Sequence, residues 1–283
     1  MGSIPITRSS QITMKLANYL KRIQYPDPVQ VDIQTLKSIH RHHLHHIPYE
    51  NIDVQLQRRV SLDVEPIYDK IVTHLRGGWC YEMNGLLAWA LQEIGFSVRK
   101  LSGGVMREIR GDDALGSHLV LLVHLKGKDY IADVGFGDGL LEPVLLESQT
   151  IRQRGLEMTL EQMADGYWRF HNHPYGGVSS FDFNEQPASI SLLESQCDWL
   201  QTSDQSPFRR NLVCQTFTDT GIEVQLGRIS KSINAEGVTS RILDSSDQLM
   251  HRLSEIFRIS EPEVANLWPT IVERHRQFFA DDP

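Results

Sequence analysis

The chain has 283 residues, 40% of them hydrophobic and 23% charged, with a formal net charge of −8. These proportions exclude a fibrous or disordered chain and supply core for two or three domains, and the acidic balance argues against gripping nucleic acid through an overall field. Three cysteines without CxxC spacing, Cys80, Cys197 and Cys214, fit neither a disulfide framework nor a thiolate zinc site and suit a reducing cytoplasm.

The first ten residues, MGSIPITRSS, lack the apolar stretch of a secretory signal and the myristoylation pattern, and they read as flexible. No run approaches the length of a membrane span, so the expectation is a soluble cytoplasmic protein without a membrane or nucleic-acid partner. Residues 11 to about 95 read as helical. Leu16, Tyr19, Leu20 and Ile23 recur at helical spacing, then Ile33, Leu36, Ile39 and Leu44 before Pro48 interrupts. From Cys80, the residues Leu86, Leu87, Ala90, Leu91 and Ile94 share one face, and Gly95 supplies the stop.

From Phe96 the texture turns to strands: FSVRKLSGGVM, HLVLLVHL and YIADVGF, with YWRFHNH extending the sheet. More strands are expected over SPFRRNLVCQTFTDTGIEVQLGRISKSI, and helical spacing returns in the last quarter. The division predicted is residues 1–95 helical and carrying a nucleophile, 96–205 strand-built, and 206–283 mixed α/β.

Cys80 falls in the first turn of its helix, where unpaired N–H groups and the macrodipole favour a thiolate. Gly77 and Gly78 read as backbone clearance for a substrate, and the Cys80 N–H as an oxyanion donor. On spacing alone, a buried packing cysteine explains the position as well as a nucleophile does.

A nucleophile needs a base and the base an orienting group. If Lys126 and Gly127 form a two-residue hairpin turn, facing positions sum to 253, pairing Asp133 with Val120 and His118 with Gly135. His118 and Asp133 then become diagonal neighbours on one face. A carboxylate in an otherwise apolar strand requires a partner, because burying it alone is costly.

RGGWCYEMN at 76–84, HHIPYENID at 45–53, GGV at 103–105, His118, DVGFG at 133–137 and SPF at 206–208 together resemble the arylamine N-acetyltransferase family. The likeness implies an α+β fold of three domains, a helical bundle, a β-barrel and an α/β lid, with a catalytic core like that of papain-type proteases and transglutaminases. It implies Cys80 as acetylated nucleophile, His118 as base and Asp133 as the group orienting it.

The implied chemistry is ping-pong acetyl transfer from acetyl-CoA, a co-substrate and not a tightly bound cofactor, to small aromatic amines or hydrazines, as in xenobiotic metabolism. The likeness also assigns Phe136 and Gly137 to the acceptor pocket and Gly103, Gly104, Val105, Ser117 and Phe208 to the CoA cleft. Arg209 and Arg210 read as phosphate contacts or, slightly preferred, as a solvated face. Glu50 and Arg76 resemble an ion pair tethering the nucleophile loop.

The cluster His42, His43, His45 and His46 lacks the oxygen or sulfur partners of a metal site, so no metal is expected. An amide synthase with another acyl donor, a papain- or transglutaminase-type hydrolase, and a noncatalytic binding protein remain as alternatives. Assembly state is not encoded in these features.

Overall fold

Asp32 opens the first long helix. In this computed structural model, which describes residues 13–279, its side chain accepts a hydrogen bond from Thr35 N at 2.8 Å. The expectation of a flexible first ten residues lies outside the described residues. α1 (Leu16–Arg22) turns Tyr19 inward, and α2 (Ile33–His46) buries Leu36, Ile39, His40, His43 and Leu44. The chain leaves α2 at Ile47, where the following proline disfavours helical backbone. β1 (Tyr49–Glu50), α3 (Ile52–Gln55), α4 (Val64–Tyr68) and a π turn (Asp69–Thr73) lead to α5 (Cys80–Ile94). Gly95, at φ 108, ends α5 where the sequence placed the stop.

The next strands are β2 (Ser97–Val105), β3 (Leu115–Leu125), β4 (Lys128–Ala132), β5 (Val144–Leu145), β6 (Gln149–Gln153), β7 (Leu156–Gln162), β8 (Trp168–His171) and β9 (Ser180–Pro187). A short α6 (Arg107–Arg110) interrupts between β2 and β3. The strands form a barrel-like antiparallel sheet in the order β5-β4-β3-β2-β9-β8-β7-β6. Its core is Leu101, Val120, Leu122, Phe170, Phe181 and Phe183, each large side chain contributing about 1.5–3 kcal/mol by burial.

The hairpin between β3 and β4 adopts the expected register: Leu125 faces Lys128 and Leu121 faces Ala132, each pair summing to 253. Lys126 and Gly127 have φ of 50° and 77°, the paired positive values of the turn that matches strand twist.

α7 (Ile190–Thr202) was not anticipated; Ser189 caps it through Leu192 N, and Leu193, Cys197 and Leu200 recur at helical spacing into a core shared with Trp79 and Cys80. Thereafter come α8 (Pro207–Arg210), β10 (Val213–Phe217), β11 (Ile222–Leu226), β12 (Ile229–Asn234), β13 (Gly237–Ile242), α9 (Ser246–Glu255) and α10 (Trp268–Phe278). β10 to β13 form an antiparallel sheet whose outer strand is β1, with Tyr49 opposite Gln215. The stretch before Cys80 is thereby stitched to a sheet more than 150 residues away in sequence.

Candidate active site

α5 carries the thiol. Its first turn lies against the start of β3: the Tyr81 hydroxyl donates to Gly116 O at 2.6 Å and Asn84 Nδ2 to Leu119 O at 2.6 Å. Cys80 is 1% exposed, and its Sγ points to Ser117 O at 3.9 Å. Burial pushes the thiol well above its ordinary pKa, outweighing the Leu119 and Tyr81 N–H groups that favour the anion. The Tyr81 N–H at the helix start favours the anion, as the sequence suggested, and burial opposes it, so a thiolate here gains from a cation beside it.

His118 lines the same cleft as Cys80. Its Nε2 donates to Asp133 Oδ2 at 2.7 Å, which leaves Nδ1 as the ring nitrogen not engaged by the carboxylate. Asp133 is held on its other oxygen by Asn84 Nδ2 and Gly135 N, both at 2.8 Å. Burial alone would raise the Asp133 pKa. His118, Asn84 and Gly135 outweigh it and leave the carboxyl below its usual range.

Two side chains that sequence reading missed complete this support. Asn84 stands one helical turn after Cys80, so one face of α5 carries both the thiol and an anchor for Asp133; its Oδ1 also accepts Val134 N at 3.0 Å. The i,i+4 spacing was the available signal. His40 accepts the Asp133 backbone N–H on Nε2 at 3.0 Å and donates from Nδ1 to Leu141 O at 2.9 Å. Burial lowers its pKa to about 4, keeping it neutral. Nothing in the sequence distinguishes it from its neighbouring histidines.

The glycines act differently from the expectation. A Cβ on Gly77 would meet Pro48 O at 2.1 Å, and one on Gly78 would meet Glu82 Cβ at 2.7 Å, so both give clearance to the scaffold behind the nucleophile and neither lines the cleft. Gly135 provides the close approach instead: its Cβ would lie 2.8 Å from Cys80 Cα and 2.6 Å from Asn84 Nδ2.

The cleft, about 270 Å³, is also lined by Val105, Ser117, Phe136 and Phe208. The Phe136 ring packs edge-on to His118, 5.4 Å between centroids. Gly103, Gly104 and Gly137 do not line it. Gly103 backs onto His118 and Gly104 onto Leu115, while Gly137, at φ 88, leaves room for the Gln215 amide. Arg209 reaches Val54 O at 3.5 Å, and Arg210 lies over the Phe278 ring at 5.8 Å.

Below the nucleophile loop, Arg76 donates from Nη2 and Nε to Glu50 Oε1 at 2.7 and 3.0 Å and from Nη1 to Glu261 Oε2 at 2.8 Å. Lys70 joins Asp53 at 2.7 Å to Glu82, which accepts the Trp79 N–H at the head of α5. Removing one partner strands buried charge, so Arg76→Ala is expected to cost about 3–5 kcal/mol. Thermal unfolding checks this, and an unchanged Tm would remove the tethering role.

The histidine cluster is engaged in packing. His43 Nδ1 meets the Tyr19 hydroxyl at 2.9 Å, His46 Nδ1 donates to His42 O at 2.8 Å, and His45 Nε2 accepts from Arg154 at 3.1 Å.

A family model described as N-acetyltransferase matches residues 32–264. The arylamine N-acetyltransferase of Escherichia coli (strain K12) is 35% identical over 217 residues, covering 74% of this chain and 76% of that protein. The solved structure of the M. smegmatis arylamine N-acetyl transferase superposes with a TM-score of 0.82 at 31% identity, covering 92% of this chain and 98% of that one. Mycobacterium marinum arylamine N-acetyltransferase in complex with CoA superposes at 0.80 with 27% identity, covering the same shares. Among the described residues, no helix is long and apolar enough to cross a membrane.

Proposed function

Because the chain belongs to the arylamine N-acetyltransferase family and is an acyltransferase, we propose that it carries an acetyl group from acetyl-CoA to aromatic amines and hydrazines through an acetyl-thioester on Cys80. The observation that carries this reading is the His118 ring, fixed through Nε2 by Asp133 at 2.7 Å in the cleft that holds Cys80. The CoA complex of the M. marinum relative supports the donor.

In the first half-reaction, Cys80 passes its proton to His118 Nδ1, and the imidazolium so formed supplies the cation that a buried thiolate requires. Sγ attacks the thioester carbonyl, the carbon–sulfur bond to CoA breaks, and His118 returns the proton to the departing sulfur. In the second, the amine nitrogen attacks the acetyl carbon. His118 takes the amine proton and gives it to Cys80 as the thioester breaks. Asp133 remains a carboxylate throughout, fixing the ring and stabilising its charged form.

On this reading Phe136 shapes the acceptor side, while Val105, Ser117 and Phe208 meet the donor. Gly103, Gly104 and Gly137 serve as close-packing supports, and the chain divides near residues 95 and 205.

The test is intact-mass measurement after mixing with acetyl-CoA, followed by an arylamine. The expected result is one acetyl group, mapped to Cys80 and discharged by the amine, with parallel-line kinetics. Absence of loading would sink the proposal. Loading followed by release to water alone would instead point to a hydrolase.

A further inference from the structure

Asp138 is a buried acid in the wall of the same cleft that the reaction described above does not use. It is 2% exposed and follows Phe136 by two residues on one segment. Its Oδ1 accepts from Asn172 Nδ2 at 2.9 Å, and its Oδ2 from Gly177 N at 2.7 Å and Gln215 Nε2 at 3.2 Å. Its own carbonyl accepts from His173 Nε2 at 2.9 Å.

All three side-chain partners are N–H donors. That set suits a carboxylate; a carboxylic acid would need an acceptor for its O–H. All three are also neutral groups, and among the described residues the carboxylate has no ion-pair partner. Lys231 and Arg110 line the cleft from other elements without bonding to it. A carboxylate offers about four acceptor positions, so roughly one is left for a ligand.

Asp138 also lies near the chemistry. Gln215, which donates to it, stands opposite Tyr49 in the pairing of β1 with β10, and Tyr49, Cys80 and Asp138 all line the one cleft. Burial raises the Asp138 pKa, while the Gly177 and Asn172 donors and the nearby His173 draw it back toward the carboxylate. An aromatic acceptor seated on Phe136 with its amine toward Cys80 therefore enters a largely apolar slot whose one carboxylate is held by neutral donors.

We infer, on the reading of this chain as an arylamine N-acetyltransferase, that Asp138 sets acceptor specificity: it favours aromatic amines bearing a cationic or N–H-donating ring substituent and rejects those bearing a carboxylate. The attraction comes from the unused acceptor position, and the rejection from bringing a second anion to a buried one. The reacting nitrogen stays the weakly basic aryl amine, while the second substituent is what Asp138 reads.

The test uses the wild-type protein and Asp138→Asn, each first acetylated with acetyl-CoA. Discharge is then followed with 4-(aminomethyl)aniline, 4-methylaniline and 4-aminobenzoate, which carry a cationic, a neutral and an anionic ring substituent. Products are checked for acetylation at the ring amine. The wild type is expected to discharge to the cationic amine at least about tenfold faster than to the anionic one after normalising each to its intrinsic reactivity with a thioester in solution, a modest demand on a partly desolvated charge.

Asp138→Asn should shrink that ratio by at least about tenfold. If Asp138 only clasps the loop at 172–178, the variant lowers all three rates by a common factor and the ratio stands, which overturns the proposal. So does a wild type with no preference, a result available even if the variant does not fold. Failure to load acetyl at all would overturn the underlying functional reading, whereas normal loading without selection overturns this inference alone.

Discussion

Cys80→Ala is expected to take up no acetyl group from acetyl-CoA and to lose turnover by about 10⁴-fold or more, as removal of a covalent nucleophile does elsewhere. The substitution deletes one sulfur from a side chain that is 1% exposed. The fold should register only a small cavity, on the order of 1 kcal/mol, and a Tm close to that of the wild type separates lost chemistry from lost structure. Cys197 and Cys214 are equally buried, at 1% and 0%, but neither lines the cleft that holds Cys80 and His118. Acetylation that persists in the Cys80→Ala protein, on either of those sulfurs or elsewhere, would overturn the assignment. Cys80→Ser is the sharper control, because a hydroxyl retains shape yet does not give up its proton to an imidazole as a thiol does. Its expected loading is slower by orders of magnitude.

What the sequence revealed of this site follows from how local each signal was. The hairpin was readable because two turn residues, Lys126 and Gly127, set the register of its ladder as far as Leu121–Ala132. The ladder ends there, short of the expected pairs Asp133–Val120 and His118–Gly135, and His118 meets Asp133 through a side-chain bond just beyond it. The end of α5 was readable because Gly95 can adopt a backbone that other residues resist. The remaining support comes from contacts whose partners lie far apart in sequence. His40 reaches Asp133 across 93 positions and Arg76 reaches Glu261 across 185, and no periodicity encodes such pairings. Asp138 was overlooked for another reason: an acid after a glycine-rich run looks like an exposed turn until the fold buries it.

The thiol's environment illustrates the same limit. A helix start favours an anion, and that much is visible in a string of residues; the burial that works against it belongs to the packed structure. The two effects meet at His118. Its position opposite Gly103, on a strand whose glycine admits the histidine's backbone closely, puts the imidazole in the cleft that Cys80 also lines. The same α5 face that presents Cys80 presents Asn84 to Asp133. Cys80 and Asp133 are thus positioned by one rigid element, which reduces the relative motion that would blur the proton transfer proposed above.

That coupling makes Asp133→Asn the second large effect. The oxygen at the Oδ1 position must remain an acceptor, because Asn84 Nδ2 and Gly135 N both donate to it. The new amide NH₂ is therefore forced toward His118 Nε2, which must then accept. The ring's proton moves to Nδ1, the nitrogen needed to receive the Cys80 proton, and the base is blocked with little change in shape. Loading from acetyl-CoA is expected to fall by about 10³–10⁴-fold, the scale seen when a triad carboxylate is made an amide, with alkylation of Cys80 by iodoacetamide slowed in parallel. A loading rate within tenfold of wild type, measured by rapid quench, would remove Asp133 from the mechanism.

Stability supplies an independent check with a definite sign. Because the folded Asp133 carboxyl titrates below its ordinary 3.8, its contribution is complete above that unfolded value and disappears as pH falls through the lower folded one. The Tm gap between wild type and Asp133→Asn should therefore be widest near neutral pH and narrow as the acid limb is entered. A gap that widens with acidification would mean that the carboxylate is not held by His118 and its amide donors in the way this geometry requires.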